Sequence, residues 1–297
     1  MARKEIGAAA IEEKGWIRSH KWLLMRRISQ LSIIGLFLLG PLASIWFLGR
    51  LEEEFWIIKG NLASSVVLDT IPLTDPFIYL QTLFAGQAFE ATALVGALIV
   101  TIFYLVVGGR VYCSWVCPMN MVTDAAGWLR RRLGIKKKCD SSPNIRFWIL
   151  GMVMIIAMFS GIMLWELINP VTLLQRSIFY GFGMGWIIVV TLFFYDLLWS
   201  RNGWCGHLCP MGAFYSLLGK FSLLRVRAAE RAACDDCMDC FAVCPEPQVI
   251  RPALKGESGE SPVIDHSQCT NCGRCIDICG PDVFSFGSRF NNRQYDL

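Results

Sequence analysis

Histidine is scarce in this chain of 297 residues, which contains only three. No long apolar segment carries the pair of histidines that would ligate a b-type haem, and no Cys-x-x-Cys-His run offers a site for covalent c-type haem. A glycine-rich phosphate loop, a dinucleotide-binding fingerprint and a Ser, His, Asp arrangement are also missing. These absences exclude haem, nucleotide and triad chemistry as the first interpretation.

Charge is low as well, at 18% of residues, while hydrophobic residues make up 54% and the mean hydropathy is +0.45. This composition is too apolar for an ordinary soluble domain. A transmembrane helix needs about 20 mostly apolar residues to cross a hydrocarbon core about 30 Å thick. Four segments meet this requirement: 28–48, 91–108, 147–168 and 179–199. The sequence therefore predicts an α-helical membrane protein with four transmembrane helices.

Basic residues are distributed unevenly between the predicted loops. Lysine and arginine are concentrated in residues 1–27 and in the second loop, 109–146, whereas the first loop, 49–90, has two basic residues against six acids. The third loop has only Arg176. Because Lys and Arg favour the cytoplasmic side of a membrane, we expect a multi-pass protein of the bacterial inner (cytoplasmic) membrane. Both termini and the C-terminal domain are expected in the cytoplasm.

The membrane part contains an internal repeat. The sequence TDPFIYLQ at 74–81 is similar to INPVTLLQ at 168–175, and each copy is followed by a Cys-x-x-x-Cys-Pro-Met run. The interval is 37 residues from Pro76 to Cys113 and 35 residues from Pro170 to Cys205. Since each unit holds two predicted helices, both copies run in the same direction. This pattern predicts two parallel two-helix repeats.

The two runs place four thiols at the predicted cytoplasmic ends of helices: Cys113, Cys117, Cys205 and Cys209. If the stretch is helical, the i, i+4 spacing puts both cysteines of a run on one side. Soft thiolates select metals and iron-sulfur centres, so the four could hold a third centre. They could equally be redox-active thiols or part of a quinone pocket, and packing as small apolar groups is the structural alternative.

Hydropathy falls after Phe221, and the remaining residues contain eight of the thirteen cysteines. The runs CDDCMDCFAVCP and CTNCGRCIDICGP share the spacing of a 4Fe-4S site, in which three thiolates hold one cluster and the fourth reaches the other. Zinc would usually be offered two Cys-x-x-Cys pairs, and a cytoplasmic location disfavours disulfides. Two 4Fe-4S clusters are therefore expected, one on Cys234, Cys237, Cys240 and Cys279, the other on Cys269, Cys272, Cys275 and Cys244.

Three domains follow from these patterns. Residues 1–27 form a cytoplasmic N-terminal segment, residues 28–222 the four-helix membrane domain, and residues 223–297 a small α+β ferredoxin-like domain for the two clusters.

The four predicted spans, the two Cys-x-x-x-Cys-Pro runs and the double cluster domain together resemble the NapH family, the membrane quinol dehydrogenase subunit of the periplasmic nitrate reductase system. The resemblance covers essentially the whole chain. It implies an electron-transfer component of an enzyme complex, which takes electrons from quinol and relays them through its clusters toward the periplasmic reductase. Implied partners are membrane lipid and quinone, a peripheral iron-sulfur protein and a periplasmic cytochrome or reductase, with no nucleic acid.

A second functional class stays open at this point. The four membrane thiols could bind or reduce copper, with electrons from the clusters, in a metal-handling maturation factor. Met119 and Met211 directly follow the Cys-Pro pairs and suit soft metals, although methionine is also common as packing in apolar helices.

Residues of a quinol site are sought among polar groups at the membrane boundary, where such groups are functional candidates. The repeated segment supplies four: Asp75, Gln81, Asn169 and Gln175. Turn formation and helix capping explain the Asp-Pro and Asn-Pro pairs equally well.

Overall fold

The computed structural model of the protein describes residues 6–46, 58–88, 90–135, 142, 144–181, 183–254 and 261–290. The chain forms two compact units. The first, here called the cluster unit, consists of residues 1–29, 104–115 and 215–297, and the second, the helical unit, of residues 30–103 and 116–214. The cluster unit therefore includes both the predicted N-terminal segment and the stretch that leads into the first Cys-x-x-x-Cys-Pro run.

Helices dominate the described residues. In chain order the α-helices are α1 (Ala8–Lys14), α2 (Trp16–Ser19), α3 (Lys21–Trp46), α4 (Pro76–Phe84), α5 (Ala91–Val107), α6 (Met119–Leu133), α7 (Ile145–Ser160), α8 (Leu164–Ile168), α9 (Pro170–Tyr180), α10 (Met184–Leu198), α11 (Pro210–Gly219), α12 (Asp239–Val243), α13 (Arg251–Leu254) and α14 (Arg274–Ile278). Within the helical unit, α10 packs against α6 and α9, and α4 packs against α7.

One helix among the described residues is long and apolar enough to cross a membrane, the portion Lys21–Leu39 of α3. The three other predicted spans correspond to α5, α7 and α10, which have 17, 16 and 15 residues. At 1.5 Å per residue these helices are about 23–26 Å long, short of a core of about 30 Å. The prediction of four helices of spanning length is therefore not confirmed.

Glycine explains why α7 ends before the predicted boundary at residue 168. Gly161 follows the helix with φ 67°, a left-handed conformation that ends helices and that glycine adopts without strain. A separate short helix, α8, begins three residues later at Leu164. An apolar run read by composition alone does not reveal this break.

The predicted repeat is visible in the element order. Helices α4 and α5, a π-helical turn at Tyr112–Val116 and α6 are matched by α9, α10, a π-helical turn at Trp204–Leu208 and α11. Proline stands at the first position of α4 and α9, where its missing N–H costs nothing. Cys113 and Cys205 thus lie in turns with the wider π-helical geometry that often marks functional positions, and Cys117 and Cys209 follow directly after these turns.

The first predicted loop contains a small antiparallel sheet. Its strands are β1 (Ile58–Gly60), β2 (Ser64–Val67) and β3 (Ile71–Thr74), in the order β1-β2-β3. The Asp75 N–H donates to the Ala63 carbonyl at 2.8 Å, which ties the end of the sheet to the start of α4.

The cluster unit has the predicted α+β character. Strands β4 (Leu224–Ala228) and β5 (Phe284–Ser288) pair antiparallel, and α12 packs against α14. Val226, Ile250, Ile264 and Phe284 belong to the core between these elements. The N-terminal segment is bonded to α12, since the Gly7 N–H donates to Asp239 Oδ2 at 3.0 Å.

Candidate cluster sites and membrane thiols

The first set of thiols lines one cavity in the cluster unit. Cys237 and Cys240 come from the first run, and Cys279, the residue that ends α14, comes from the second. The complete set of four is Cys234, Cys237, Cys240 and Cys279, the same four that the spacing rule assigns to one cluster.

The second set lines another cavity. Cys244 ends α12, and the packing of α12 against α14 carries it to the other run. The set is Cys244, Cys269, Cys272 and Cys275, again the predicted four. The exchange of fourth cysteines thus follows from the packing of α12 against α14, since each helix is followed by the cysteine that joins the other set.

Backbone conformation is repeated between the two runs. Asp236 and Met238 have φ of 53° and 63°, and the corresponding Asn271 and Gly273 have φ of 45° and 73°. Left-handed conformations at the same two positions wrap the chain around each cavity. Glycine supplies one of the four at no steric cost, and a Cβ there would lie 2.6 Å from the Trp22 side chain.

The protonation of the thiols follows their burial. Burial raises the pKa of Cys240 to about 12, and repulsion from the neighbouring thiols acts in the same direction. Burial also raises the pKa of Cys269 to about 11. A thiol with a raised pKa is mostly protonated when no metal is bound. As thiolates, the four would be a soft donor set, and a bound metal centre would offset their negative charge. The residues of both cavities therefore fit 4Fe-4S clusters.

Cys272 is the exception. Burial raises the pKa of its thiol, but the positive charges of Arg274 and Arg26, together with hydrogen bonds that involve Thr270 and the Arg274 backbone, act in the other direction, and the pKa is lowered overall. Arg26 is fully buried. The second set therefore has cationic side chains near its thiols.

The second thiol set contacts the segment that leads into the first Cys-x-x-x-Cys-Pro run. Ser114 Oγ donates to the Thr270 carbonyl at 2.8 Å, and Trp115 Nε1 donates to the Asn271 carbonyl at 3.1 Å. Asn271 Nδ2 donates in turn to the Val107 carbonyl at 3.2 Å. These bonds hold the loop 269–272 against residues 107–115.

A buried ion pair lies next to the same loop. Arg110 Nη1 is 2.9 Å from Glu246 Oε1 and donates to the Gln268 carbonyl at 2.9 Å. Both charged side chains are at most 6% exposed. The pair joins the residues that follow Cys244 to those that precede Cys269.

The membrane thiols are divided between the two units. Cys113 belongs to the cluster unit, and Cys117, Cys205 and Cys209 belong to the helical unit. The Cys205 thiol is 4.0 Å from Thr123 Oγ1, and the Gly212 N–H donates to Cys209 Sγ at 3.4 Å. Among the described residues no cysteine forms a disulfide, and no group of three or more His, Cys, Asp or Glu is arranged to hold a single metal ion.

The methionines after the Cys-Pro pairs pack as apolar side chains. Met119 and Met211 are 1% and 3% exposed, and Met119 belongs to a core with Val171, Leu174 and Val189. Their burial is explained by packing, without a soft-metal role.

All four quinol-site candidates are buried in the helical unit, and two of them cap helices. Asp75 Oδ1 accepts from the Phe77 and Ile78 N–H groups at 2.8 and 3.3 Å, and Asn169 Oδ1 accepts from the Val171 N–H at 3.1 Å. The capping interpretation of the Asp-Pro and Asn-Pro pairs is therefore correct.

The side-chain oxygen of each glutamine accepts from backbone N–H groups in the segment that precedes the other repeat. The Gln81 side-chain oxygen accepts from the Leu164 and Trp165 N–H groups at 3.1 and 3.2 Å. Gln175 Oε1 accepts from the Leu62 N–H at 3.1 Å. Each repeat thus uses its glutamine to fix the segment in front of the other repeat.

Glu166 was missed by the sequence interpretation. Its Oε1 is 3.9 Å from Arg176 Nη2, and its Oε2 has no hydrogen-bond partner among the described residues, as is also true of Gln175 Nε2. Asp75 and Asn169 are among its electrostatic neighbours. An acid inside an apolar segment was the available signal.

Two families of iron-sulfur domain match the chain. A family described as a 4Fe-4S binding domain matches residues 89–136 and again residues 179–228, so both repeats match the same pattern. A 4Fe-4S dicluster domain family matches residues 233–283, which include all eight cysteines of the two cavities.

Relatives match over nearly the full length. The ferredoxin-type protein NapH of Haemophilus influenzae is 46% identical over 98% of both chains, and NapH of Escherichia coli is 44% identical over 98% of this chain and 97% of its own. This chain belongs to the NapH family. The methylamine utilization ferredoxin-type protein MauN of Paracoccus denitrificans is also close, at 49% identity over 94% of this chain and 95% of its own. No solved structure matches. As a ferredoxin-type NapH relative with 4Fe-4S domains, the protein functions in electron transfer.

Proposed function

We propose that this NapH-family protein oxidises quinol and passes the electrons, one at a time, through two 4Fe-4S clusters held by the two thiol sets. The observation that carries the proposal is the attachment of the cluster unit to the start of α3, the helix of spanning length. Asp277, from the second cysteine run, accepts from the Trp22 and Leu23 N–H groups at 3.0 and 2.9 Å. The thiol sets are thereby fixed at one end of an apolar helix, where a lipid-soluble donor is available.

The same proposal includes a four-span arrangement in the bacterial inner membrane, with the cluster unit in the cytoplasm. The basic residues at 1–27 and 109–146 support this orientation. Helices α5, α7 and α10 are short, and a bilayer thins locally around short spans at a modest cost. Their exposed residues are strongly apolar; examples are Ile102, Phe159 and Ile187, which are 61%, 81% and 60% exposed.

Quinol gives up two protons with its two electrons, so its site needs a proton acceptor. We propose Glu166 for this role, because one of its carboxylate oxygens is buried without a hydrogen-bond partner among the described residues, and a carboxylate can accept a quinol proton. Gln175 Nε2 is a second available group, and Asp75, Gln81 and Asn169 position the surrounding backbone.

The electron acceptor is proposed to be a peripheral iron-sulfur protein that leads, with a periplasmic cytochrome, to a nitrate reductase. The NapH relatives support this choice. MauN relatives are, by name, methylamine utilization proteins, so electron delivery to that system is the competing outcome.

The test is anaerobic mixing of the full-length protein with a soluble quinol analogue, followed by the absorbance of its clusters. Bleaching is expected, and loss of the Glu166 carboxylate in Glu166→Gln should slow it about a hundredfold. Glu90→Gln removes an exposed carboxylate and is the matched control, expected to bleach at the original rate. Absence of bleaching in the presence of the iron-sulfur partner would exclude quinol as the donor.

A further inference from the structure

Charged side chains surround the two thiol sets unequally. The first cavity is lined by the exposed carboxylates Asp235 and Asp236, and Asp239 is a further acid near Cys237. Lys14 is a cation near Cys279, and it is paired with Asp282. The first set therefore lies in acidic surroundings.

The second set lies among arginines. Arg274 lines the cavity and acts on both Cys272 and Cys244, and the fully buried Arg26 acts on Cys272. Two carboxylates lie nearby: Glu246 also lines the cavity and pairs with Arg110 at 2.9 Å, and Asp277 accepts from two N–H groups at the start of α3 and lies near Arg26.

Two further arginines contribute less. Arg225 and Arg110 both act on Cys269. Arg225 faces Asp265 at 3.8 Å, and Arg110 faces Glu246 at 2.9 Å, so each is offset by a carboxylate. Arg274, which lines the cavity, and the buried Arg26 both act on Cys272.

We propose that Arg274 and Arg26 are positioning charges that raise the reduction potential of the cluster on Cys244, Cys269, Cys272 and Cys275 above that of the other cluster. This inference rests on the proposed function only in assuming that both sets hold 4Fe-4S clusters. Reduction by one electron adds one negative charge, which nearby fixed cations stabilise, and burial reduces screening by water. Burial alone would disfavour the added charge, so the arginines decide the order.

The order of reduction fixes where the first electron resides. The second cluster site is the one whose loop 269–272 is bonded to Ser114 and Trp115, next to Cys113. An electron added to the cluster unit is therefore held beside the first Cys-x-x-x-Cys-Pro run, and the acidic site is reduced second.

The experiment is a redox titration of the full-length protein, with dithionite as reductant and electron paramagnetic resonance as the readout. In Arg274→Gln, one cluster signal should need a lower potential. Its ratio of reduced to oxidised form at a fixed potential should fall at least tenfold, which is about 59 mV for one electron. The other signal should not move, and Arg274→Lys, which keeps the charge, should restore the original potential.

The opposite control is Asp235→Asn combined with Asp236→Asn. It should move the other signal, upward and by less, because these carboxylates are exposed and screened. If Arg274→Gln loses iron, Arg26→Gln is titrated with the same expectation. Any of three results overturns the proposal: neither signal shifts in potential, both signals shift equally, or both arginine variants lose iron. Failure of the proposed function is distinguishable, because it appears as no reaction with quinol in protein whose two cluster signals still titrate, whereas fewer than about eight irons per chain contradicts both proposals.

Discussion

The buried pair of Arg110 and Glu246 gives the most demanding prediction about stability. Arg110→Met removes two hydrogen bonds, each 2.9 Å long, and leaves the Glu246 carboxylate buried without this cation. Breaking a buried pair in this way costs about 3–5 kcal/mol in the free energy of unfolding. The double variant Arg110→Met with Glu246→Met replaces both charges by apolar groups and should recover most of that loss.

The assay is the rate at which the cluster absorbance disappears in the presence of an iron chelator. If opening of the cluster unit limits that loss, about 3–5 kcal/mol accelerates it by about two to three and a half powers of ten, at 1.4 kcal/mol per tenfold. The exposed pair of Lys59 and Asp69, whose atoms are 2.8 Å apart, is the control. Lys59→Met should change the free energy of unfolding by less than about 1 kcal/mol. A double variant less stable than Arg110→Met would refute the reasoning.

Three further predictions concern single residues. Asn169→Ala removes the cap of α9 and should lower the free energy of unfolding by about 1 kcal/mol, measured by denaturation in detergent, with Asn169→Asp as the variant that retains the cap. Cys279→Ser should reduce the iron content from about eight to about four per chain, whereas Cys209→Ser should retain all eight unless the membrane thiols hold a third centre, in which case the parent protein contains about twelve. In metal-free protein at pH 8, a neutral alkylating agent should modify Cys272 faster than Cys240. The pKa of Cys272 is lowered and that of Cys240 is raised to about 12, while both side chains are 8% exposed. Equal rates of modification by mass spectrometry would contradict the assigned effect of the arginines.

The grouping of the eight cysteines was predictable because chain connectivity limits it strongly. Two or three residues between thiols leave few geometries, and a four-thiol run that folds into one short helix must place its last cysteine beyond its own site. The repeat was predictable for a similar reason, since Pro76 and Pro170 begin equivalent helices at nearly equal distances from the cysteines.

Helix length and the polar residues of the repeat were harder to predict. The apolar pattern continues through Gly161, and only the left-handed backbone there shows that α7 ends. Asp75 is an acid at the predicted membrane boundary, where functional groups are expected, yet its Oδ1 accepts hydrogen bonds from two backbone N–H groups. The arginines around the second set were not predicted, because Arg26 is 248 positions before Arg274 and only the folded chain brings both to Cys272.

The contacts of Asp277 with Trp22 and Leu23 have a consequence for the order in which the protein matures. Helix α3 is synthesised before the carboxylate that accepts from its first N–H groups, which lies 255 positions after Trp22. That carboxylate lies on α14 between Cys275 and Cys279, so under the proposed cluster assignment its position depends on metal loading. We therefore expect three steps in order. The apolar helix inserts first, iron and sulfide are delivered next, and the N-terminal segment packs against the completed site last. In a chain that receives no iron, the first N–H groups of α3 would lack this carboxylate acceptor. Cellular quality control can recognise such an uncapped helix start.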